Sequence, residues 1–227
     1  MKKARTILAI DVGGSHVKVM TNRGRTRRRF DSGPDLTARA MVRGVKAVTG
    51  DWSYDLVSIG YPGAVAGHRV LKDPHNLGRG WKGFDFAKAF GRPTRIVNDA
   101  LMQALGSYQG GRMLFLGLGT GMGSAMILDG VLEPMELGHL PYRGDKTFED
   151  YVGAEGLRRL GRKKWRGHVA DVVKRLTDAL QPDYVVLGGG NVGKLGKLPP
   201  KARRGNNADA FKGGFRLWAK RRPKRGR

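Results

Sequence analysis

The chain has 227 residues, with 43 Lys and Arg against 19 Asp and Glu for a formal net charge of +24, and no cysteine. That length accommodates one large domain or two lobes of roughly 100 residues each, either able to bury a core; the absence of cysteine excludes a disulfide framework and a thiolate metal site. The longest apolar runs are strand-sized and far short of the roughly 20 residues of a membrane span, and the basic start runs into Asp11 and glycines before it can form a signal peptide, so a cytoplasmic protein with no membrane partner is expected.

In chain order, a strand over 7–11 runs into Gly13-Gly14-Ser15 and a second strand over 17–20, a hairpin with a tip rich in backbone donors. Helical spacing follows over 36–48, a strand over 56–60 ending in Pro62-Gly63, and a short helix over 84–90. A strand over 95–97 stops at Asn98-Asp99, and a helix continues over 100–108. A second hairpin then appears, 113–116 leading through glycines 117–123 to a strand over 124–128 and an Asp129-Gly130 turn. Helices are expected over 147–160 and 168–180, a strand over 184–187 closed by Gly188-Gly189-Gly190, and a final amphipathic helix over 207–218. This alternation favours an α/β fold with helix-covered sheets. Two strand, glycine-loop, strand units about 110 residues apart point to an internal duplication in which each half supplies one phosphate-facing loop.

The charge is spread over clusters at 23–29, 158–166, 194–204 and the 219–227 tail. A field this strong concentrates polyanions, although a solvated basic surface without a dedicated ligand has the same composition.

Asp11 ends an apolar strand and Gly13-Gly14-Ser15 follows, so the backbone can approach an oxyanion closely while Ser15 adds a hydroxyl donor and Lys18 a charge. A bare carboxylate would repel that phosphate, which casts Asp11 as an anchor for Mg2+ or its bound water. A ligand-free turn uses the same residues, and Gly119-Thr120-Gly121 is open to the same two readings; the pair is more informative than either. No G-x-x-x-x-G-K-[ST] loop exists, and Gly188-Gly189-Gly190 lacks dinucleotide spacing, which fits better a strand end near a nucleotide base or ribose. Asn98-Asp99 closes a buried strand where open α/β sheets place ligands, and a carboxylate there can take the proton of an attacking sugar hydroxyl. A helix N-cap is the alternative job for the same pair. Glu136, His139 and Glu149 add groups that pair with pyranose hydroxyls, and without cysteines to complete a tetrahedral site no structural zinc is expected at His139.

D-V-G-G-S-H-V-K at 11–18, G-Y-P-G at 60–63, Asn76 with Trp81, V-N-D-A at 97–100, L-G-T-G-M-G-S at 118–124, E-L-G-H at 136–139, F-E-D-Y at 148–151 and L-G-G-G at 187–190 together form a pattern. It resembles the ROK sugar kinases and, within them, the polyphosphate glucokinase branch. The resemblance implies an α/β fold of the actin-like ATPase, ribonuclease H-like two-lobed type with a duplicated βββαβα core. Residues 1–98 would form a smaller lobe joined by the 207–218 helix, residues 99–206 a larger lobe, and 219–227 a basic disordered tail. It further implies Asp99 as general base, with Asn76, Asn98, Glu136, His139 and Glu149 holding the sugar. Asp11, Gly13, Gly14, Ser15 and Lys18 would line the first phosphate loop, Gly119, Thr120 and Gly121 the second, and Gly188, Gly189 and Gly190 the nucleotide side. The chain departs from the family in lacking its cysteine-rich zinc motif after E-x-G-H, and in a shorter terminal region.

The activity expected is transfer from inorganic polyphosphate or ATP, with Mg2+, to the 6-hydroxyl of glucose, by a homodimer. Kinases for mannose, fructose or an N-acetyl hexosamine use the same side chains. A ROK-type sugar-responsive regulator that binds nucleic acid is the rival class; it is disfavoured because the first strand begins by residue 7 without a helix-turn-helix ahead of it in this sequence, and because Asp99 is present. The enzyme reading requires Asp99 and both glycine hairpins to serve one crevice.

Overall fold

The strand 7–12 is apolar everywhere except Asp11, and Leu8, Ala9 and Ile10 are fully buried. A strand apolar on both faces belongs in the middle of a covered sheet, and the computed structural model, which describes residues 4–206 and 208–219, places it there. Two compact units are present, Met1–Met102 with Ala210–Arg227 and Gln103–Asp209.

The first unit contains β1 (Ile7–Val12), β2 (His16–Thr21), β3 (Arg27–Asp31), α1 (Ala38–Val48), β4 (Leu56–Tyr61), a small ribbon of β5 (Val65–Ala66) and β6 (Arg69–Val70), α2 (Phe86–Phe90), β7 (Thr94–Asn98) and the start of α3 (Asp99–Ser107). Its sheet runs β3-β2-β1-β4-β7; the β3, β2 and β1 steps are antiparallel and the β1, β4 and β7 steps parallel. Helix α1 buries Met41, Val42 and Val45 against the face that carries Leu8, Ile10 and Ile59.

The second unit contains β8 (Arg112–Leu118), β9 (Met122–Leu128), β10 (Val131–Met135), a ribbon of β11 (Pro141–Arg143) and β12 (Lys146–Thr147), α4 (Phe148–Val152), α5 (Ala154–Leu180), β13 (Tyr184–Gly188), β14 (Ala202–Arg204) and the first residue of α6 (Asp209–Arg216). Its sheet runs β10-β9-β8-β13-β14, again two antiparallel steps followed by two parallel ones. The two sheets therefore share one topology, with a glycine turn joining the first two strands of each. The rest of α6 belongs to the first unit, where Ser58 donates to the Gly214 carbonyl at 2.6 Å and the Trp218 indole N–H donates to Ser58 at 2.9 Å.

Several expected boundaries are corrected. The 147–160 helix breaks at Gly153, where an added Cβ would lie 2.6 Å from the Thr120 carbonyl oxygen, so the glycine lets the chain touch the second glycine loop. The 168–180 helix is the later part of α5, which begins at Ala154 and is interrupted at Gly161 (φ 72°, ψ 161°). The final helix is Asp209–Arg216; Asn207 and the tail 220–227 lie outside the described residues. Strands β3, β10 and β14 are additional. The basic cluster at 23–29 is partly edge strand β3: Arg28 forks onto Asp51 and stacks 4.5 Å from the Trp52 ring. Charged side chains on an edge strand discourage pairing with other chains.

Candidate active site

Strand register brings the first set of functional residues to one end of the first sheet. Asp11 lies opposite Gly60, Gly60 opposite Val97, and Tyr61 opposite Asn98. The hairpin tip after β1 and Asn98-Asp99 after β7 thus leave from the carboxyl ends of parallel strands, where open α/β sheets bind ligands. Gly60 permits this closeness, since a Cβ there would lie 2.5 Å from Met102 Cε and 3.4 Å from Asp99 Cα.

Capping of α3 falls to Asn98, whose side-chain Oδ1 accepts from the Leu101 N–H at 3.2 Å while its Nδ2 donates to the Gly63 carbonyl at 3.3 Å. Asp99 is the first helical residue, half-buried, with one carboxylate oxygen accepting from the Ala100 N–H at 2.7 Å. A carboxylate in the first helical turn also meets the favourable end of the helix dipole. Asn98 is engaged at both ends of its amide, so the structure gives it a positioning contribution toward Asp99.

The first hairpin tip is pinned rather than loose. The Gly13 N–H donates to the His16 carbonyl at 3.0 Å, Ser32 Oγ donates to the Gly13 carbonyl at 2.6 Å, and the Ser32 N–H donates to the Ser15 carbonyl at 3.0 Å. The Lys18 ammonium lies 3.8 Å from Asp11 Oδ2, beside the same tip. Burial pushes the Asp11 pKa upward, and Lys18 partly offsets that shift. Asn76 comes alongside, its Cβ 3.9 Å from where a Cβ on Gly14 would stand. The loop carrying Asn76 is anchored by fully buried Trp81, whose backbone N–H donates to Asp73 and whose indole donates to the Leu36 carbonyl. The N–H groups of Lys82 and Trp81 hold the Asp73 carboxyl below its usual range. A cavity of about 730 Å³ opens at the opposite ends of these strands, lined by Arg5, Thr6, Asp55 and Arg92; none of the expected site residues borders it.

In the second unit, Glu149 organises the second glycine loop. Its Oε2 accepts from the Met122 N–H at 3.3 Å, its Oε1 lies 3.5 Å from His139 Nε2, and a Cβ on Gly121 would sit 2.3 Å from Oε2. Gly119 closes the loop by donating to the Gly121 carbonyl at 3.1 Å, and the Ala154 N–H donates to the Thr120 carbonyl at 3.0 Å. Glu136 is exposed and immediately precedes a 3-10 turn at Leu137–His139, which brings His139 to Glu149. Gly188 ends β13, and Gly189 (φ 83°) lies against the Leu118 backbone; these glycines pack β13 against the loop.

Glu149 sits on α4, whose start is held by Asp150: its carboxylate accepts from the Thr147 N–H at 2.8 Å and from the Thr147 hydroxyl at 2.9 Å. These bonds hold the Asp150 pKa below its usual 3.8. Asp150→Ala is expected to cost about 1 kcal/mol in urea unfolding at pH 7. Because the folded pKa is lowered, that contribution is complete above the ordinary carboxylate pKa and fades as the pH falls through the folded value, so mutant and parent converge in acid.

Sequence reasoning missed Asn191 and Lys194. Buried Asn191 donates from its backbone to the Leu118 carbonyl at 2.9 Å and from its amide to the Gly119 carbonyl at 3.0 Å, while the Lys194 ammonium donates to Asn191 Oδ1 at 2.9 Å. The only signal in the sequence was their position directly after the glycine triplet.

Among the described residues no helix is long and apolar enough to cross a membrane, and no group of three or more His, Asp or Glu is gathered to hold a metal. The chain is 29% identical over 212 residues to a polyphosphate glucokinase of Mycobacterium tuberculosis, covering 84% of this chain and 80% of the relative. Among solved structures it is similar to an inorganic polyphosphate/ATP-glucomannokinase from Arthrobacter sp. strain KM, with TM-score 0.79, 23% identity, and coverage of 93% of this chain and 97% of that one. It is also similar to a ROK family glucokinase from Streptomyces griseus, solved with glucose and AMPPNP, with TM-score 0.76, 17% identity, and coverage of 93% and 98%. These likenesses establish the α/β fold of the actin-like ATPase type. The ROK family model itself matches residues 7–148, which is more than half of the sequence and contains both glycine hairpins and Asp99, so the chain belongs to the ROK family.

Proposed function

We propose that this chain is a phosphotransferase that moves the terminal phosphoryl group of inorganic polyphosphate or ATP onto the 6-hydroxyl of glucose, working in the cytoplasm as a homodimer. The observation that carries the reading is Asp99, set by the Asn98 cap at the end of β7, at the same end of the sheet as the pinned Gly13–Ser15 tip. The names of the Mycobacterium tuberculosis and Arthrobacter relatives support the glucose acceptor and the choice of donors.

Phosphoryl transfer depends on positioning and charge stabilisation. Asp99 accepts the 6-hydroxyl proton as the oxygen attacks phosphorus, Asn76, Glu136, His139 and Glu149 bind the other hydroxyls, and the glycine tips offer backbone N–H groups to phosphate oxygens. Gly188 to Gly190 flank the nucleotide when ATP is the donor. Mg2+ would be held at Asp11, which stands next to the end of β1 beside the hairpin tip, since a single carboxylate suffices for an ion that keeps waters and takes substrate phosphates as ligands. When bound, Mg2+ neutralises charge on the transferring phosphates.

A panel of glucose, mannose, fructose and N-acetylglucosamine, each with ATP and with long-chain polyphosphate, tests the assignment by kcat/KM. Glucose is expected to lead by at least tenfold with both donors active; activity with none of the sugars would end the reading.

A further inference from the structure

Two basic segments in the second unit meet directly beside the second glycine loop. From 158 to 170 and from 184 to 208 the sequence has no Asp or Glu. Neither segment therefore neutralises its own Lys and Arg, apart from Arg158, which pairs with Glu155.

The segments are tied together at one place. Arg166 of α5 donates from Nε to the Lys194 carbonyl at 2.8 Å, and a Cβ on Gly196 would lie 3.4 Å from the same guanidinium. Arg204 closes the junction from β14 by donating to the Leu195 carbonyl at 3.0 Å. The other end of this arrangement reaches the glycine loop: Lys194 is held by Asn191, which holds the Gly119 carbonyl. Arg162 lies one helical turn before Arg166, on the same side of α5, and α5 begins where Ala154 meets Thr120.

Cations at Lys194, Arg166, Arg204, Lys197 and Arg162 are thus arranged outward from the loop that faces the donor's phosphates. Arg166 and Arg204 tie the backbone at 194–195, and all five cations are exposed, so charge faces solvent. A compact triphosphate needs only the loop and its nearest cation. A row of cations leading away from the loop suits an unbranched polyanion that continues past the reacting phosphate. We infer that the segment 191–197 and the Arg162–Arg166 turn of α5 form a binding track for the distal phosphates of an inorganic polyphosphate chain. This rests on the polyphosphate part of the proposed function and places the chain's path on named residues. By counterion release the track contributes in proportion to the cations it supplies, and its contribution weakens with salt.

The test is direct equilibrium binding of long-chain inorganic polyphosphate, which does not depend on turnover. Lys194→Gln/Lys197→Gln is expected to bind about tenfold or more weakly at low salt, and its slope of log affinity against log salt should flatten by about 1.4, from roughly 0.7 for each lost cation. Arg162→Gln/Lys197→Gln, which leaves the Asn191 contact intact, should show a loss of the same kind, and Arg39→Glu/Arg43→Glu on α1 should not. Binding within twofold of the parent in both track variants overturns the track, even if the parent turns over polyphosphate. If the parent is active only with ATP, the donor reading fails separately, and the binding comparison still decides the track. An equal loss of affinity for a single-stranded oligonucleotide of matched charge would overturn the assignment to polyphosphate in favour of an unselective polyanion surface.

Discussion

Asp99→Asn is expected to lower kcat about a thousandfold while leaving glucose affinity within a few-fold of the parent. General-base contributions fall in the range of roughly 10²- to 10⁴-fold, and the amide keeps the size and one acceptor of the carboxylate while losing its ability to hold the proton. The local fold gives little reason for a structural collapse, because the α3 cap is made by Asn98 and the Ala100 N–H can be met by an amide oxygen. Glucose binding by titration, set beside steady-state rates, separates the two effects. A variant with near-normal kcat would remove Asp99 from the chemistry, whereas loss of both binding and melting cooperativity would point to a folding defect.

The second large effect is expected at Gly189→Ala. Gly189 has φ 83°, and a Cβ there would lie 2.5 Å from the carbonyl oxygen of Leu118 and 2.6 Å from its backbone nitrogen. No side-chain rotation relieves contact with main-chain atoms, and the left-handed conformation adds about 1–2 kcal/mol for a residue with a Cβ. Overpacking of this kind costs roughly 1–3 kcal/mol, and the atoms that must yield are those that lead into Gly119. The expected result is a clear loss of stability together with a fall in kcat/KM for the donor of about a hundredfold, the scale attached to an ångström of misplacement. Gly24→Ala is the contrast, since its added Cβ would meet nothing closer than 3.8 Å and its φ lies outside the left-handed region; it should behave as the parent in both measurements. Equal behaviour of the two variants would show that β13 does not set the loop.

The elements that were legible in the sequence are those with buried, uninterrupted apolar runs. Strand β1 announced itself by Ile7 to Ile10 and β8 by Met113 to Leu118, and the glycines after each marked the turns. Strand β3 was hidden because its alternation is written in arginine: Arg28 and Phe30 turn inward and Arg27, Arg29 and Asp31 outward, which reads as a charge cluster until the neighbouring strand is known. The ends of α4 and α5 were misplaced because Gly153 and Gly161 carry a tertiary reason, the approach to Thr120 and a local change of direction, that helical periodicity does not record.

The candidate site divides in the same way. Asp11, Asp99 and the glycines stand at strand ends, so their positions followed from the strands. The roles of individual side chains did not follow, because they depend on which groups the folded chain brings within reach. Lys18 meets Asp11, Asn98 bridges to Gly63, and Glu149 holds Met122 and His139. Lys194 was invisible for the same reason: its importance lies in Asn191 and Gly119, and a lysine among many in a strongly basic segment carries no mark of that connection.

The chemistry proposed for this protein is transfer of a phosphoryl group to one oxygen of glucose. Glucose labelled with ¹³C at carbon 6, incubated with the protein, Mg2+ and either donor, should give a ¹³C signal split by coupling to ³¹P as the donor's terminal phosphate resonance declines. Release of inorganic phosphate without that splitting, or a phosphoester formed at another carbon, would contradict it.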